Sequence, residues 1–396
     1  MAAGEGKRMR PLTATRPKVM LPLANKPILE HLLIEAREAG IIEFILVVGY
    51  CDQQVRDYFG SGDKLGVAIG YSEQRKQLGT ADAVRMVASK LDGNFVVMNG
   101  DVVINRDDIG SLVNNHKGNT ISAIEVNDPS GLGMIELKND KVVRIHEKTG
   151  RPPSNLANAG LYLFTPDIHD AISRTDKSPR GEYEITDSIQ LLIEAGQEMA
   201  CQVIKEWTDL SYPWNLLAVN EALLEDIESD RQGTVEENVT LNGAVSIGKN
   251  TVIRSGAYIN GPVIIGENCD IGPNCFIRPA TSIGEGCHIG AAVEVKNSVI
   301  MNGTKIPHHN YVGDSIIGEK CNLGAGTKIA NLRLDKKNIS IAGIDTGRRK
   351  LGAVIGDNVE TGINVSINVG CIIGNNSFIG PGAVVSGIIA PDSKIF

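Results

Sequence analysis

Residues 245–295 read VSIGKN TVIRSG AYINGP VIIGEN CDIGPN CFIRPA TSIGEG CHIGAA VEV when broken every six positions. The third place of each block is aliphatic: Ile247, Ile253, Ile259, Ile265, Ile271, Ile277, Ile283, Ile289 and Val295. Glycine follows at 248, 266, 272, 284 and 290. The period resumes at Ile317 and Leu323, and again at Ile355, Ile367, Ile373, Ile379 and Val385. An α-helix repeats its buried face about every 3.6 residues and a strand about every second residue, so neither explains this period. A solenoid of short parallel rungs does. Each rung gives one large aliphatic side chain to a shared interior, and three rungs close a triangular turn. The repeat predicts a left-handed parallel β-helix over residues 240–396.

The place two before each aliphatic residue is small: Val245, Thr251, Ala257, Val263, Cys269, Cys275, Thr281, Cys287 and Val293, then Cys321 and Cys371. Five of the seven cysteines thus share one packing slot, where free Cys acts as a small buried hydrophobe. They lack the Cys-x-x-Cys or His-rich spacing of zinc sites. Cys51 and Cys201 pair with nothing obvious, so a reduced, cytoplasmic chain is expected.

A chain of 396 residues has room for two or three cores. No apolar run is long enough to span a bilayer and no secretory segment opens the chain, so no membrane partner is expected. Residues 1–239 carry 25 basic and 36 acidic side chains, a net of −11, whereas residues 240–396 carry 14 and 11, a net of +3. That excess is too weak for a nucleic-acid footprint but suits a phosphate-bearing small ligand.

The N-terminal part reads as α/β. Glu43–Gly49, Phe95–Asn99 and Thr120–Val126 are runs suited to buried strands, and Ile28–Ala39, Ala81–Leu91 and Leu216–Ile227 are helical patterns. Their alternation predicts a mostly parallel sheet with helices on both faces. The polar Ser229–Gly233 stretch marks a linker, giving domains at 1–228 and 240–396 joined by 229–239. A Gly-rich phosphate loop normally leaves a strand. Here it begins at Ala3-Gly4 with none before it, so the first strand is expected to be missing.

That loop, Ala2-Ala-Gly-Glu-Gly-Lys-Arg-Met-Arg-Pro-Leu-Thr13, joins small residues to two arginines. Glycines let backbone N–H groups approach a phosphate or base, and Arg8 can neutralise a triphosphate. A lone Gly-x-Gly would mean only a tight turn. Here it is followed by Arg16-Pro-Lys18 and Asn25-Lys-Pro-Ile28. Then come Glu73-Gln74, Leu78-Gly-Thr-Ala81, Asn99-Gly-Asp101, Gly131-Leu-Gly133, Glu147-Lys148, Asn158-Ala-Gly160 and Trp207-Thr-Asp209, in that order.

This ordered set resembles the sugar-1-phosphate nucleotidylyltransferase family over nearly all of residues 1–227. The resemblance implies an α/β Rossmann-like domain in which Ala3, Gly4, Gln74, Gly79 and Thr80 bind the nucleotide. It also implies that Gly133, Glu147 and Asn158 contact the sugar phosphate, and that Asp101 and Asp209 hold Mg²⁺. The chemistry is attack of a sugar-1-phosphate oxygen on the α-phosphorus of a nucleoside triphosphate with loss of pyrophosphate. It needs positioning and charge neutralisation, to which Arg8 and Lys18 contribute. Taken alone, Asp101 at a strand end could cap a helix and Glu147 could be a surface carboxylate.

The repeat region holds a second cluster: Glu294-Val-Lys-Asn-Ser298, Ile306-Pro-His-His-Asn-Tyr-Val-Gly-Asp-Ser315, Asn322-Leu-Gly-Ala-Gly-Thr327 and Asn331. The repeat breaks over 330–352. Arg333, Lys336, Lys337, Arg348, Arg349 and Lys350 stand there against Asp335 and Asp345, either as a solvated surface loop or to hold the phosphates of coenzyme A. Together these stretches resemble the acetyltransferase half of the bifunctional GlmU type, in an archaeal-like form. The resemblance implies His308 as catalytic base, with Arg278, Lys296, Tyr311 and Asn322 around the sugar phosphate. It places Ala325 against acetyl-CoA. Imidazole titrates near neutrality, which suits proton removal from an amine attacking a thioester. His309 is expected to face the opposite way if 308–312 is extended. The chain departs from the pattern at Ala330-Asn-Leu-Arg-Leu-Asp335, which lacks the family's Tyr.

The combined reading is a bifunctional enzyme of UDP-N-acetylglucosamine synthesis. Acetyl-CoA and UTP are its substrates, Mg²⁺ its cofactor, and a homotrimer its expected assembly. The repeat alone is equally consistent with a structural platform. That leaves open a glucose-1-phosphate thymidylyl- or uridylyltransferase whose β-helix only assembles or regulates. A non-catalytic regulatory subunit is the third reading, opposed by Arg8, Lys18, Asp101 and Asp209.

Overall fold

A computed structural model describes residues 1–115, 118–129, 131–147 and 153–396. The chain forms two compact bodies. The first comprises Met1–Glu5, Arg16–Met20 and Ile28–Asp209; the second comprises Gly6–Thr15, Leu21–Pro27 and Leu210–Phe396.

The first body is α/β and Rossmann-like. Its main sheet has six strands in the order Phe95–Met98, Leu156–Phe164, Thr120–Glu125, Ala200–Val203, Lys141–Glu147, Gly133–Lys138. This sheet is mixed, not mostly parallel. Only Ala200–Val203 runs parallel to a neighbour, Thr120–Glu125. One cause is local: Asn139 and Asp140 both adopt positive φ (51° and 59°), the two-residue hairpin turn that forces antiparallel pairing on its flanking strands. Along Leu156–Phe164 the faces alternate. Ala159, Leu161 and Leu163 enter one apolar core with Leu29, Leu33 and Phe44, while Tyr162 and Phe164 enter another with Ile121, Ile135 and Ile185.

Glu43–Val48 and Ala68–Glu73 form a separate parallel pair. Met1 and Ala2 connect this pair to the main sheet. The Met1 amino group donates to Met98 O at 2.6 Å, Gly100 N donates to Met1 O at 2.8 Å, and Ala2 N donates to Val47 O at 2.7 Å. Beyond them a cavity of about 1380 Å³ separates the two sheets, lined by apolar side chains such as Leu33, Phe44, Leu46, Val97 and Leu163. Burial lowers the pKa of the Met1 ammonium from 8.0 to about 6, against an opposing pull from Asp101.

In the second body the sixfold period becomes a left-handed β-helix. Three parallel sheets of nine, eight and eight strands line its sides. Partners in adjacent turns lie 18 positions apart, as in Val252, Asp270 and His288. The repeating aliphatic residues and Cys269, Cys275, Cys287, Cys321 and Cys371 share one buried interior. Burial pushes the Cys275 thiol up to about 12 and that of Cys371 to about 11, so both stay protonated. Corners require left-handed backbone, which Asn tolerates. Asn250, Asn268, Asn358 and Asn376 have φ near 56–59° and stack as amide ladders, Asn250 on Asn268 at 3.2 Å and Asn358 on Asn376 at 3.1 Å.

The turn length changes at one corner only of the central coils. Val295 to Ile300 and Val312 to Ile317 are five-residue steps, so Ile283, Ile300 and Ile317 pair at 17-residue intervals. At the next passage of that corner the chain leaves as a loop, and Ile317 pairs with Ile355. The loop packs back through Ile339 and Ile341, both at most 4% exposed. The helix Asn215–Glu225 clamps the same body. Its buried Asn220 accepts from Ala24 N (2.9 Å) and Ser282 Oγ (2.6 Å), and Asn25 donates to Ile283 O (2.7 Å).

Candidate active sites

In the first body the segments of Lys18, Asp101 and Asp209 come together. Asp101 follows Phe95–Met98, and Lys18 reaches it from a short 3-10 turn with Nζ 2.6 Å from Oδ2. Burial would raise the Asp101 pKa, but the Lys18 charge and hydrogen bond outweigh it, and the carboxyl lies below its ordinary value. Thr208–Asp209 pairs antiparallel with Val102–Val103, with Asp209 opposite Val102. The register therefore sets the Asp209 backbone opposite the residue that follows Asp101. An aspartate carboxylate is a hard-oxygen donor of the kind Mg²⁺ takes, and the Lys18 ammonium already meets that of Asp101.

Gln74 is 4% exposed, and its amide donates to Gly79 O (3.0 Å) and to Asp82 Oδ2 (2.8 Å). Both donors are used, which leaves its carbonyl oxygen as the group a ligand could meet. Ala3 and Gln74 meet across Gly49, where an added Cβ would lie 2.8 Å from Gln74 O and 3.0 Å from Ala3 O. Sequence reasoning missed Gly49 and Asp82; the Gly directly after the strand Glu43–Val48 was the available signal. Gly79, at φ 113°, packs on Tyr183, and a Cβ there would lie 2.3 Å from its carbonyl. Thr80 Oγ1 accepts from Ile185 N at 2.9 Å, so it also supports the start of a helix. Gly4 borders open space.

Gly133 pairs with Glu147 across the hairpin, and a Cβ at 133 would come 3.0 Å from Glu147 Oε1. Lys148 lies outside the described residues. At the irregularity in Leu156–Phe164, Asn158 donates to Tyr162 Oη (2.8 Å) and accepts from Gly160 N (3.0 Å). Asn99 N donates to Gly160 O (2.8 Å), and Trp207 Nε1 to Ala159 O (2.9 Å). That bulge joins the Asn99-Gly-Asp101, Asn158-Ala-Gly160 and Trp207-Thr-Asp209 motifs. Arg8 belongs to the second body, its guanidinium 5.6 Å from the centre of the Tyr212 ring.

The second site lies at the β-helix corner where the repeat slips. Asp314, with a side chain 3% exposed, accepts from Lys296 Nζ (3.0 Å), Asn297 Nδ2 (2.8 Å) and Asn331 Nδ2. Asn331 also donates to Tyr311 Oη at 3.1 Å. Burial first, then the Asp314 charge, raises the Tyr311 pKa, so the phenol stays a donor. Arg278 is held by Glu294 at 2.9 Å. Asp314 and Asn331 were not assigned roles from the sequence. The two five-residue steps were the signal, because they mark the corner that Asn297 and Asp314 turn with positive φ.

His308 is exposed at the end of the strand Lys305–His308, in register with Ala291. Gly326 N donates to His308 O at 3.0 Å, setting Ala325 on the adjoining coil. Asn322 is exposed on that coil, one turn after Lys305. His309 does not continue an extended strand. Its φ of 52° makes it the corner, and buried Asn310 pins that corner to Leu323 O at 3.1 Å. The expected alternation of His308 and His309 therefore gives way to a turn, with both side chains exposed.

The chain matches the nucleotidyl transferase family over residues 1–226, a GMPPB C-terminal domain over 259–369, and six bacterial transferase hexapeptide repeats over 352–387. It is 44% identical to the "Bifunctional protein GlmU" of Methanococcus maripaludis (strain C7), covering all of this chain and 96% of that protein. It belongs to the GlmU-type family. A second member, the "Bifunctional sugar-1-phosphate nucleotidylyltransferase/acetyltransferase" of Sulfurisphaera tokodaii, is 40% identical over 98% of this chain and 96% of its own length. The "Low-salt glycan biosynthesis nucleotidyltransferase Agl11" of Haloferax volcanii is 34% identical over 82% of this chain and 93% of its own. Among solved structures, a putative glucose-1-phosphate thymidylyltransferase from Bacillus anthracis in complex with a sucrose superimposes with a TM-score of 0.52. It is 28% identical, covering 58% of this chain and 95% of that one. As a GlmU-type protein the chain is a transferase with a sugar-1-phosphate nucleotidyltransferase half and a hexapeptide acetyltransferase half. Among the described residues no helix is long and apolar enough to cross a membrane.

Proposed function

We propose that this chain acetylates glucosamine-1-phosphate with acetyl-CoA and then transfers UMP from UTP to the N-acetylglucosamine-1-phosphate so formed. The observation that carries the first step is the corner of Arg278, Lys296, Tyr311, Asp314 and Asn331. A purely structural coil gains nothing from burying a carboxylate among three donors beside further cations. There the amino-sugar nitrogen attacks the thioester carbonyl. The carbon–sulfur bond breaks, His308 takes the amine proton, and that proton passes to the departing thiolate. Tyr311 and Asn322 orient the sugar, and Ala325, lacking a bulky side chain, leaves room for the acetyl-CoA arm.

In the nucleotidyl step Ala3, Gly4, Gln74, Gly79 and Thr80 hold the nucleotide, and Gly133, Glu147 and Asn158 hold the acetylated sugar. Lys18 and Arg8 offset phosphate charge as pyrophosphate departs. Mg²⁺ held by Asp101 and Asp209 would neutralise the triphosphate. The working assembly is a homotrimer built through residues 240–396, in the cytoplasm, where the seven free cysteines stay reduced.

A second reading, a thymidylyl- or uridylyltransferase with a structural β-helix, is favoured only by the structural likeness to the thymidylyltransferase of Bacillus anthracis. Free thiol release on mixing the protein with acetyl-CoA and glucosamine-1-phosphate separates the two. No thiol above the rate without sugar would leave the second.

A further inference from the structure

Below the Asp314 network lies a cavity of about 540 Å³ confined to the second body. Its cations come from two sources. Arg278 and Lys296 stand on successive β-helix turns; Arg348, Arg349 and Lys350 come from the end of the inserted loop. The loop end is fixed there by its own backbone. Leu351 N donates to Asn331 O at 3.0 Å and Gly352 N to Asp314 O at 2.8 Å, so the residues just before them cannot swing away. Arg348 is further tied, Nε to Lys350 O at 3.4 Å.

The charges bear on which anion fits. Five cations line the cavity. Arg278 is offset by Glu294, Lys296 by Asp314, and Glu221 supplies one more carboxylate to the lining. Five against three leaves two positive charges, matching a phosphate monoester dianion. A coenzyme A molecule brings a diphosphate and a further monoester, about twice that charge at neutral pH. Arg333, another loop cation, is closed on Asp335 at 2.7 Å outside this cavity.

We infer that Arg348 and Arg349 are ligands of the sugar's phosphate in the acetyl-transfer site, not of coenzyme A. They line one cavity with Lys296, and planar guanidinium groups are suited to binding phosphate oxygens in a bidentate way. This rests on the acetyltransferase reading above, and makes the inserted loop the element that selects a phosphorylated amino sugar over the free one.

The test is the double variant Arg348→Gln/Arg349→Gln in the full chain. Its apparent KM for glucosamine-1-phosphate is expected to rise at least tenfold. The KM for acetyl-CoA should stay within about twofold of wild type, and the nucleotidyl reaction on N-acetylglucosamine-1-phosphate should be unchanged. Arg348→Lys/Arg349→Lys should recover part of the loss. A rise in the acetyl-CoA KM alone would assign the arginines to coenzyme A, and no change in either would make the loop a solvated surface; both overturn the inference. If wild-type protein releases no thiol, the acetyltransferase reading has failed. Calorimetric binding of inorganic phosphate then still decides whether Arg348 and Arg349 hold a phosphate: weaker binding in the double variant supports it, and equal binding refutes it.

Discussion

The Lys296 ammonium lies 3.0 Å from the Asp314 carboxylate on the next coil, and that carboxylate is almost sealed from water. A charge in that position is tolerable only while its donors stay in place. Asp314→Ala should therefore lower stability in urea by about 3 kcal/mol, the usual cost of breaking a buried pair from one side. It should also abolish acetyl transfer, since Lys296 and Asn331 lose their common anchor. A Lys296→Met/Asp314→Leu double variant should recover the stability but not the activity. A double variant that recovers both would deny the pair any part in the chemistry.

His308→Ala should reduce acetyl transfer by on the order of 10²–10⁴, the share of a positioned general base. The nucleotidyl reaction should not change. His309 turns the corner with φ 52°, so His309→Ala should cost little activity and His309→Gly less stability still. Steady-state assays of both reactions check this, and a mild His308→Ala would move the base elsewhere.

Asp101→Asn and Asp209→Asn should each abolish Mg²⁺-dependent pyrophosphate release and leave thiol release intact. Their independence follows from the two compact bodies. A folded variant that loses both activities would contradict two separate sites.

Burial of the Met1 amino group makes stability pH-dependent in a stated direction. Its folded pKa, about 6, lies below the unfolded 8.0. Between these values the unfolded chain binds more protons, so stability rises from pH 6 to pH 8, by at most about 3 kcal/mol. The melting temperature should rise over that window, and acetylating the amino group should flatten the rise. Joining an apolar β-branched pentapeptide to Met1 should raise Tm further, by filling the cavity between Glu43–Val48 and Phe95–Met98. A pentapeptide that leaves Tm unchanged would mean the cavity does not accept a strand.

Static light scattering at micromolar concentration should give three times the mass of the 42.3 kDa chain. A monomer with full acetyl transfer would show that one β-helix completes the site.

Period and residue type were legible in one dimension. The nine in-phase aliphatic positions from Ile247 to Val295 fixed the β-helix, because a rung's interior position recurs at a constant spacing whatever surrounds it. The buried cysteines followed from the same phase. Local motifs such as Asn99-Gly-Asp101 identified the family, because backbone turns and metal carboxylates need particular residues within a few positions.

What the tertiary structure decided lies between distant segments. The mixed sheet depended on which strands pair, a choice that periodicity does not encode. The bond from Lys18 to Asp101 spans 83 positions, and the grouping of Asn158, Gly160 and Trp207 needed a bulge. In sequence Arg348 and Arg349 fit either a solvated loop or a hold on the phosphates of coenzyme A; the anchoring of the residues after them by Asn331 and Asp314 belongs to the fold. Sequence alone determined the elements with a repeating local cause. Sites assembled from segments far apart in the chain required the packed fold, because no single segment carries the information about what it will meet.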